Sequence, residues 1–204
     1  IIALMWRWCK YTKEANKKEI EDLIANENYK EREDRFYQTL EFGTGGLRGV
    51  MGGGTNRMNT LEINLATQGL ANYVIKAFPE KAKEGTLSAV VAYDSRLNSD
   101  VFAEATALIL AANGIKAYLF TSLRPTPELS YAIKELKAQT SVVVTASHNP
   151  PQYNGYKAYW EDGAQVTAPK DKEIIAEVKA VTDYHDVKTM DKAEAMEAGL
   201  YVVI

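Results

Sequence analysis

The chain has 204 residues, 46% of them hydrophobic and 25% charged, with 24 Lys+Arg against 27 Asp+Glu for a formal charge of -3. This is a globular composition and excludes a disordered tail, a collagen-like repeat and a disulfide mini-protein. A net-acidic chain is a poor general partner for nucleic acid or an anionic membrane, although it can still hold a local basic pocket.

The opening IIALMWRWC is too short to span a bilayer and is interrupted by Arg7. It also lacks the basic flank and small-residue cleavage site of a signal peptide. The chain begins without Met, so both ends are treated as open to truncation. Cys9 is the single cysteine, which rules out an internal disulfide and fits a reducing cytoplasm. Residues 10–41 are charge-rich, with Ile20, Leu23 and Ile24, then Phe36, Tyr37 and Leu40, at helical spacing. They predict two amphipathic helices broken near Asn26–Asn28, with solvated charged faces. Gly43–Gly54 then place seven glycines in twelve positions, which forbids a helix and calls for turns or close backbone approach.

From residue 60 a regular alternation begins. Thr60 is the expected cap of a helix over 61–78, followed by a strand at 87–93. Asn98 or Ser99 caps a helix over 100–112, and a strand follows at 115–120. Pro127 starts a helix to about 137, then strands are predicted at 140–146 and 154–160 and a helix at 169–181. This pattern predicts an α/β fold, a mainly parallel sheet covered by helices with right-handed crossovers. Ligands of such sheets sit beyond the carboxyl ends of the strands. That rule selects the loops Asp94–Arg96, Thr121–Thr126 and Ser147–Pro151.

In the last of these, Ser147 can present a hydroxyl at a strand tip. His148 can donate to an anion or move a proton, and Pro150–Pro151 stiffens the loop. The alternative is an Asn-Pro turn in which Ser147 bonds its own backbone. A Ser-His-Asp hydrolase is disfavoured, because adjacent side chains diverge and no G-x-S-x-G elbow is present. GTGGLRG at 43–49 is neither a dinucleotide fingerprint nor a Walker loop. Its glycines expose N–H groups and Arg48 adds a planar fork suited to phosphate; the alternative is a turn-rich hairpin entry with a surface arginine. Lys157 follows Ser147 by ten residues across a turn and either neutralises a phosphate near it or is an exposed strand lysine. Arg96 and Arg124 read as structural or peripheral, and His185 is given no role. No zinc spacing occurs, and Asp171, Asp183 and Asp186 form no self-contained Mg²⁺ site. Together, a hydroxyl, an arginine fork and a lysine at loop positions point to a phosphate-handling site.

These segments resemble the first domain of the α-D-phosphohexomutases, the phosphoglucomutase/phosphomannomutase family. TASHNP at 145–150 is similar to the family's phosphoserine loop and GTGGLRG at 43–49 to its arginine loop. NGYK at 154–157 and AYDSR at 92–96 match further family segments, and the wording looks most like the phosphoglucomutase/phosphopentomutase branch. The resemblance implies that Ser147 bears the transferable phosphoryl group, which also ligates Mg²⁺. It implies that His148 and Lys157 contact the phosphoserine and assist proton transfer, and that Arg48 reaches the active-site phosphate. The implied reaction moves phosphate between C1 and C6 of a hexose (or pentose) phosphate, with a glucose 1,6-bisphosphate-type activator. The Asp-Gly-Asp-x-Asp loop that completes the family's metal site is absent, and Asp162–Gly163 is no substitute. The expectation is therefore an N-terminal helical extension (1–40) and domain I (41–204) of a larger cytoplasmic enzyme. The missing domains of the same polypeptide are its partners, and the piece alone has no turnover. The alternative is a non-catalytic phosphosugar-binding or anion-binding module.

Overall fold

The computed structural model describes residues 1–204. The chain opens with three short helices, α1 (Ile2–Cys9), α2 (Glu14–Ala25) and α3 (Tyr29–Phe36). The break between α2 and α3 falls at Asn26–Asn28, as the spacing predicts. Glu27 there takes φ 52°, and the Asn28 side chain accepts from the Glu31 N–H to cap α3. Met5, Trp8, Cys9, Ile20 and Phe36 form a small core of their own, closed on its far side by Leu61.

The α/β part follows as β1 (Gly46–Val50), α4 (Thr60–Ala77), α5 (Pro79–Glu84), β2 (Ser88–Tyr93), α6 (Ser99–Ala112) and β3 (Lys116–Leu119). It continues as α7 (Thr126–Glu135), β4 (Thr140–Val144), β5 (Tyr153–Trp160), α8 (Lys170–Ala180), a 3-10 turn (Tyr184–Asp186), α9 (Lys192–Glu197) and β6 (Tyr201–Val203). One six-stranded sheet has the order β1-β5-β4-β2-β3-β6. β2 pairs in parallel with β3 and β4, and β3 with β6. β5 runs antiparallel to both β4 and β1, so the mainly parallel sheet carries a reversed edge. The reason is chain length. Only residues 145–152 separate β4 from β5, whereas a parallel crossover needs about a dozen residues or more.

β2 and β4 are buried along almost their whole length, as befits strands covered on both faces. On one face α4, α6 and α8 pack with Val91, Val142, Val144 and Tyr156 in the larger core. On the other, Leu129 and Ile133 of α7 cover Val90, Ala92 and Val143. The caps differ from expectation. Asn59, not Thr60, caps α4 by accepting from the Glu62 N–H at 3.1 Å. Ser99 opens α6 but makes no cap; its hydroxyl donates to Asp94 at 2.8 Å, and Asn98 makes no side-chain cap bond either. No helix is long and apolar enough to cross a membrane.

Candidate active site

β4 ends at Val144, and the chain leaves the sheet through a short, tightly bonded loop. The Thr145 N–H donates to the Gly155 carbonyl at 3.0 Å, and the Thr145 hydroxyl accepts from the Ser147 N–H at 3.1 Å. Ala146 is fully buried and anchors the turn, while Ser147 and His148 are exposed. Ser147 adopts φ 54°, a left-handed conformation that a non-glycine residue takes only when its surroundings fix it. Its hydroxyl lies 3.3 Å from His148 Nδ1. Two further turns close the loop, Asn149 N–H to the Ala146 carbonyl and Tyr153 N–H to the Pro150 carbonyl.

The loop wraps a cation, Arg96, that reads as structural or peripheral from sequence alone. Arg96 Nη2 donates to the carbonyls of Ser147 and Asn149, both at 2.7 Å. Its Nη1 donates to the carbonyls of Pro150 and Tyr153, both at 3.1 Å. Asp94 faces the same guanidinium at 3.6 Å and also accepts from the Arg96 N–H. Asn154 ties the next segment to Leu97 and Ser99, so the loops after β2 and β4 form one unit. Arg96 is thus structural, as expected, but its attachment is to the Ser147 loop itself. No sequence signal could have named its partners, because every residue carries a carbonyl.

β1 brings the arginine loop alongside. Arg48 is paired with Gly155, and Lys157 with Gly46 on one side and Val143 on the other. Directly opposed residues of an antiparallel pair share a face, and alternate residues of a strand do too. Arg48 and Lys157 therefore project from the same face, one register step apart. They line a single open cleft of about 310 Å³ together with Glu41, Thr44 and Gln165. Glycine permits this approach. A Cβ on Gly46 would stand 1.8 Å from the Tyr156 carbonyl oxygen, and one on Gly155 would stand 2.5 Å from that of Thr145. The strand at 46–50 was not expected from its glycine content, yet these glycines are what let it pair.

The structure thus brings Arg48 and Lys157 into one cleft. It sets Ser147 and His148 at the tip of β4, two and three residues beyond Thr145, which bonds Arg48's own partner Gly155. Ser147 and His148 do not line the cleft itself. Arg124 is held on its own loop, pairing with Glu128 and lying over Phe120. His185 bonds Tyr11 at 2.8 Å, far along the chain from these loops. No three His, Cys, Asp or Glu side chains gather in a group that could hold a metal ion.

Residues 39–185 match the family model described as phosphoglucomutase/phosphomannomutase, alpha/beta/alpha domain I. The glucose 1,6-bisphosphate synthase of Mus musculus is 43% identical over 175 residues, covering 83% of this chain and 27% of that protein. The phosphopentomutase of Homo sapiens is 39% identical over 175 residues, covering 82% of this chain and 28% of its own length. Among solved structures, a protein of Thermus thermophilus designated a phosphomannomutase superposes with a TM-score of 0.64 at 28% identity. That match covers 82% of this chain and 33% of the other. The chain spans little more than a quarter of the length of these curated relatives.

Proposed function

The chain belongs to the phosphoglucomutase/phosphomannomutase family, and from that premise we propose that it is the phosphoserine-bearing domain I of a phosphosugar mutase. Residues 41–204 form that domain, residues 1–40 are an N-terminal extension packed on it, and the rest of the enzyme lies in further domains of the same polypeptide. The substrate is a hexose or pentose phosphate, the compartment is the cytoplasm, and a sugar bisphosphate primes the enzyme.

Ser147 carries the phosphoryl group. A hydroxyl of the sugar monophosphate attacks phosphorus, the bond from phosphorus to the Ser147 oxygen breaks, and the sugar hydroxyl gives up its proton. His148 and Lys157 assist that proton's movement and the return of one to the serine oxygen. The sugar is now a bisphosphate. It reorients in the cleft and gives its other phosphoryl group back to Ser147 by the reverse steps. Phosphoserine and substrate are both strongly anionic, so the site needs fixed cations. Arg48 supplies a bidentate fork for a phosphate and Lys157 a point charge on the same face. Mg²⁺, when bound, would add charge neutralisation at the phosphoserine, with its remaining ligands supplied by the further domains.

One observation carries the reading: Arg48 of β1 and Lys157 of β5 share a sheet face and a cleft, on the two strands next to the β4 tip that presents Ser147. Ser147→Ala in the full-length protein tests it. Loss of interconversion of sugar 1-phosphate with its 5- or 6-phosphate supports the assignment. Wild-type turnover in a folded Ser147→Ala protein would refute it.

A further inference from the structure

The four carbonyls gathered on Arg96 have a consequence for the groups on their other side. A trans peptide places its N–H opposite its C=O, and the only cis peptide in the chain is Ala168–Pro169. The Ser147–His148 peptide turns its oxygen to Arg96 at 2.7 Å, so the His148 N–H points away from the guanidinium. That N–H makes no hydrogen bond within the chain. The next two carbonyls on Arg96 belong to the Asn149–Pro150 and Pro150–Pro151 peptides, which have no N–H to offer. The Asn149 N–H is already bonded to the Ala146 carbonyl. Between Ser147 and Pro151 a single outward backbone donor is therefore left free, on the residue that follows the serine.

The same contacts fix Ser147 itself. Its N–H is held by the Thr145 hydroxyl and its C=O by Arg96, and between them the residue sits at φ 54°. Asp94 stands against the Arg96 side chain, so much of its charge is matched locally and its contribution is chiefly geometric.

Resting on the reading that Ser147 carries the phosphoryl group, we infer that Arg96 is a positioning residue for the transfer. It orients the Ser147–His148 peptide so that the His148 N–H donates to that phosphoryl group, and it never touches the substrate. A guanidinium offers five N–H donors in one plane, whereas an ammonium offers three from one point. Lysine cannot hold four carbonyls in this arrangement.

The test compares wild type, Arg96→Lys and Ser147→Ala in the full-length protein. Thermal unfolding establishes that each is folded, and glucose 1,6-bisphosphate serves as the priming phosphate donor. Arg96→Lys should lose roughly 10- to 100-fold in kcat, because small misplacements of a reacting group cost that much. KM should change less than about threefold, since Arg96 makes no substrate contact. The His148 amide resonance, which should shift downfield when wild type is phosphorylated, should shift far less in Arg96→Lys. A folded Arg96→Lys protein with wild-type kcat, or with an unchanged His148 shift, overturns the inference even when Ser147→Ala is inactive. A kcat loss seen only in protein that has lost its fold also counts against it. Full activity in Ser147→Ala strikes instead at the Ser147 reading on which the inference rests.

Discussion

At the scale of single residues, the site depends on what glycine omits as much as on what arginine adds. Gly46 and Gly155 let β1, β5 and the end of β4 approach until any side chain would collide with a carbonyl oxygen. That closeness puts Arg48 level with the exit of β4. Arg48→Lys keeps the charge but removes the fork, so kcat/KM should fall by roughly 10- to 100-fold with little change in thermal stability. Steady-state kinetics on the full-length protein checks this, and unchanged kinetics would make Arg48 a turn residue only. The residues at 43–49, 145–150 and 154–157 were legible in the sequence because glycine, arginine, lysine and proline are chemically distinctive. Arg96 was legible only as a loop cation. Its partners are main-chain oxygens more than fifty residues on, which leave no mark in a sequence.

At the scale of elements, helix and strand periodicity located most of the α/β part, and the differences come from tertiary contacts. Asn59 takes the cap of α4 because its side-chain nitrogen also donates to the carbonyls of Gly52, Gly54 and Arg57, knitting the glycine-rich loop to the helix. Thr60, next in line, lies within the helix. The antiparallel course of β5 was implicit in the short 145–152 connection, but alternation alone does not reveal strand direction. The short α9 and β6 carry too few residues for a periodic signal. Gly69 shows how packing inverts a propensity. In an isolated helix Gly→Ala stabilises by about 1 kcal/mol. Here a Cβ would stand 2.4 Å from the Val178 Cα of α8. Gly69→Ala should therefore destabilise the protein by roughly 1–3 kcal/mol by forcing α4 and α8 apart. Urea unfolding measures this, and a gain in stability would show that the helices are not so closely packed.

At the scale of the whole molecule, the N-terminal helices and the α/β part meet over a buried carboxyl. Glu62, in the first turn of α4, lies beneath Trp8, whose indole N–H donates to it at 3.4 Å. Burial pushes the Glu62 carboxyl up to about 8, with the indole pulling weakly the other way. In the unfolded chain the carboxyl ionises near its usual 4.5, while in the fold it stays protonated until about 8. Its contribution is therefore complete below pH 4.5 and is lost as pH rises towards 8, a total of a few kcal/mol. Relative to Glu62→Gln, the wild-type melting temperature should fall across that window; parallel curves for the two proteins would mean that the carboxyl titrates as it does in water. The larger claim concerns what this body is built to hold. The measurement that bears on it most directly is to incubate the full-length protein with glucose 1,6-bisphosphate and locate the phosphate by peptide mass spectrometry. A chase with excess sugar monophosphate follows. One phosphate should appear on Ser147 and should be lost in the chase at least as fast as the enzyme turns over. An enzyme that turns over with Ser147 unmodified, or with a phosphate there that does not chase, would contradict the assignment of Ser147 as the phosphoryl carrier.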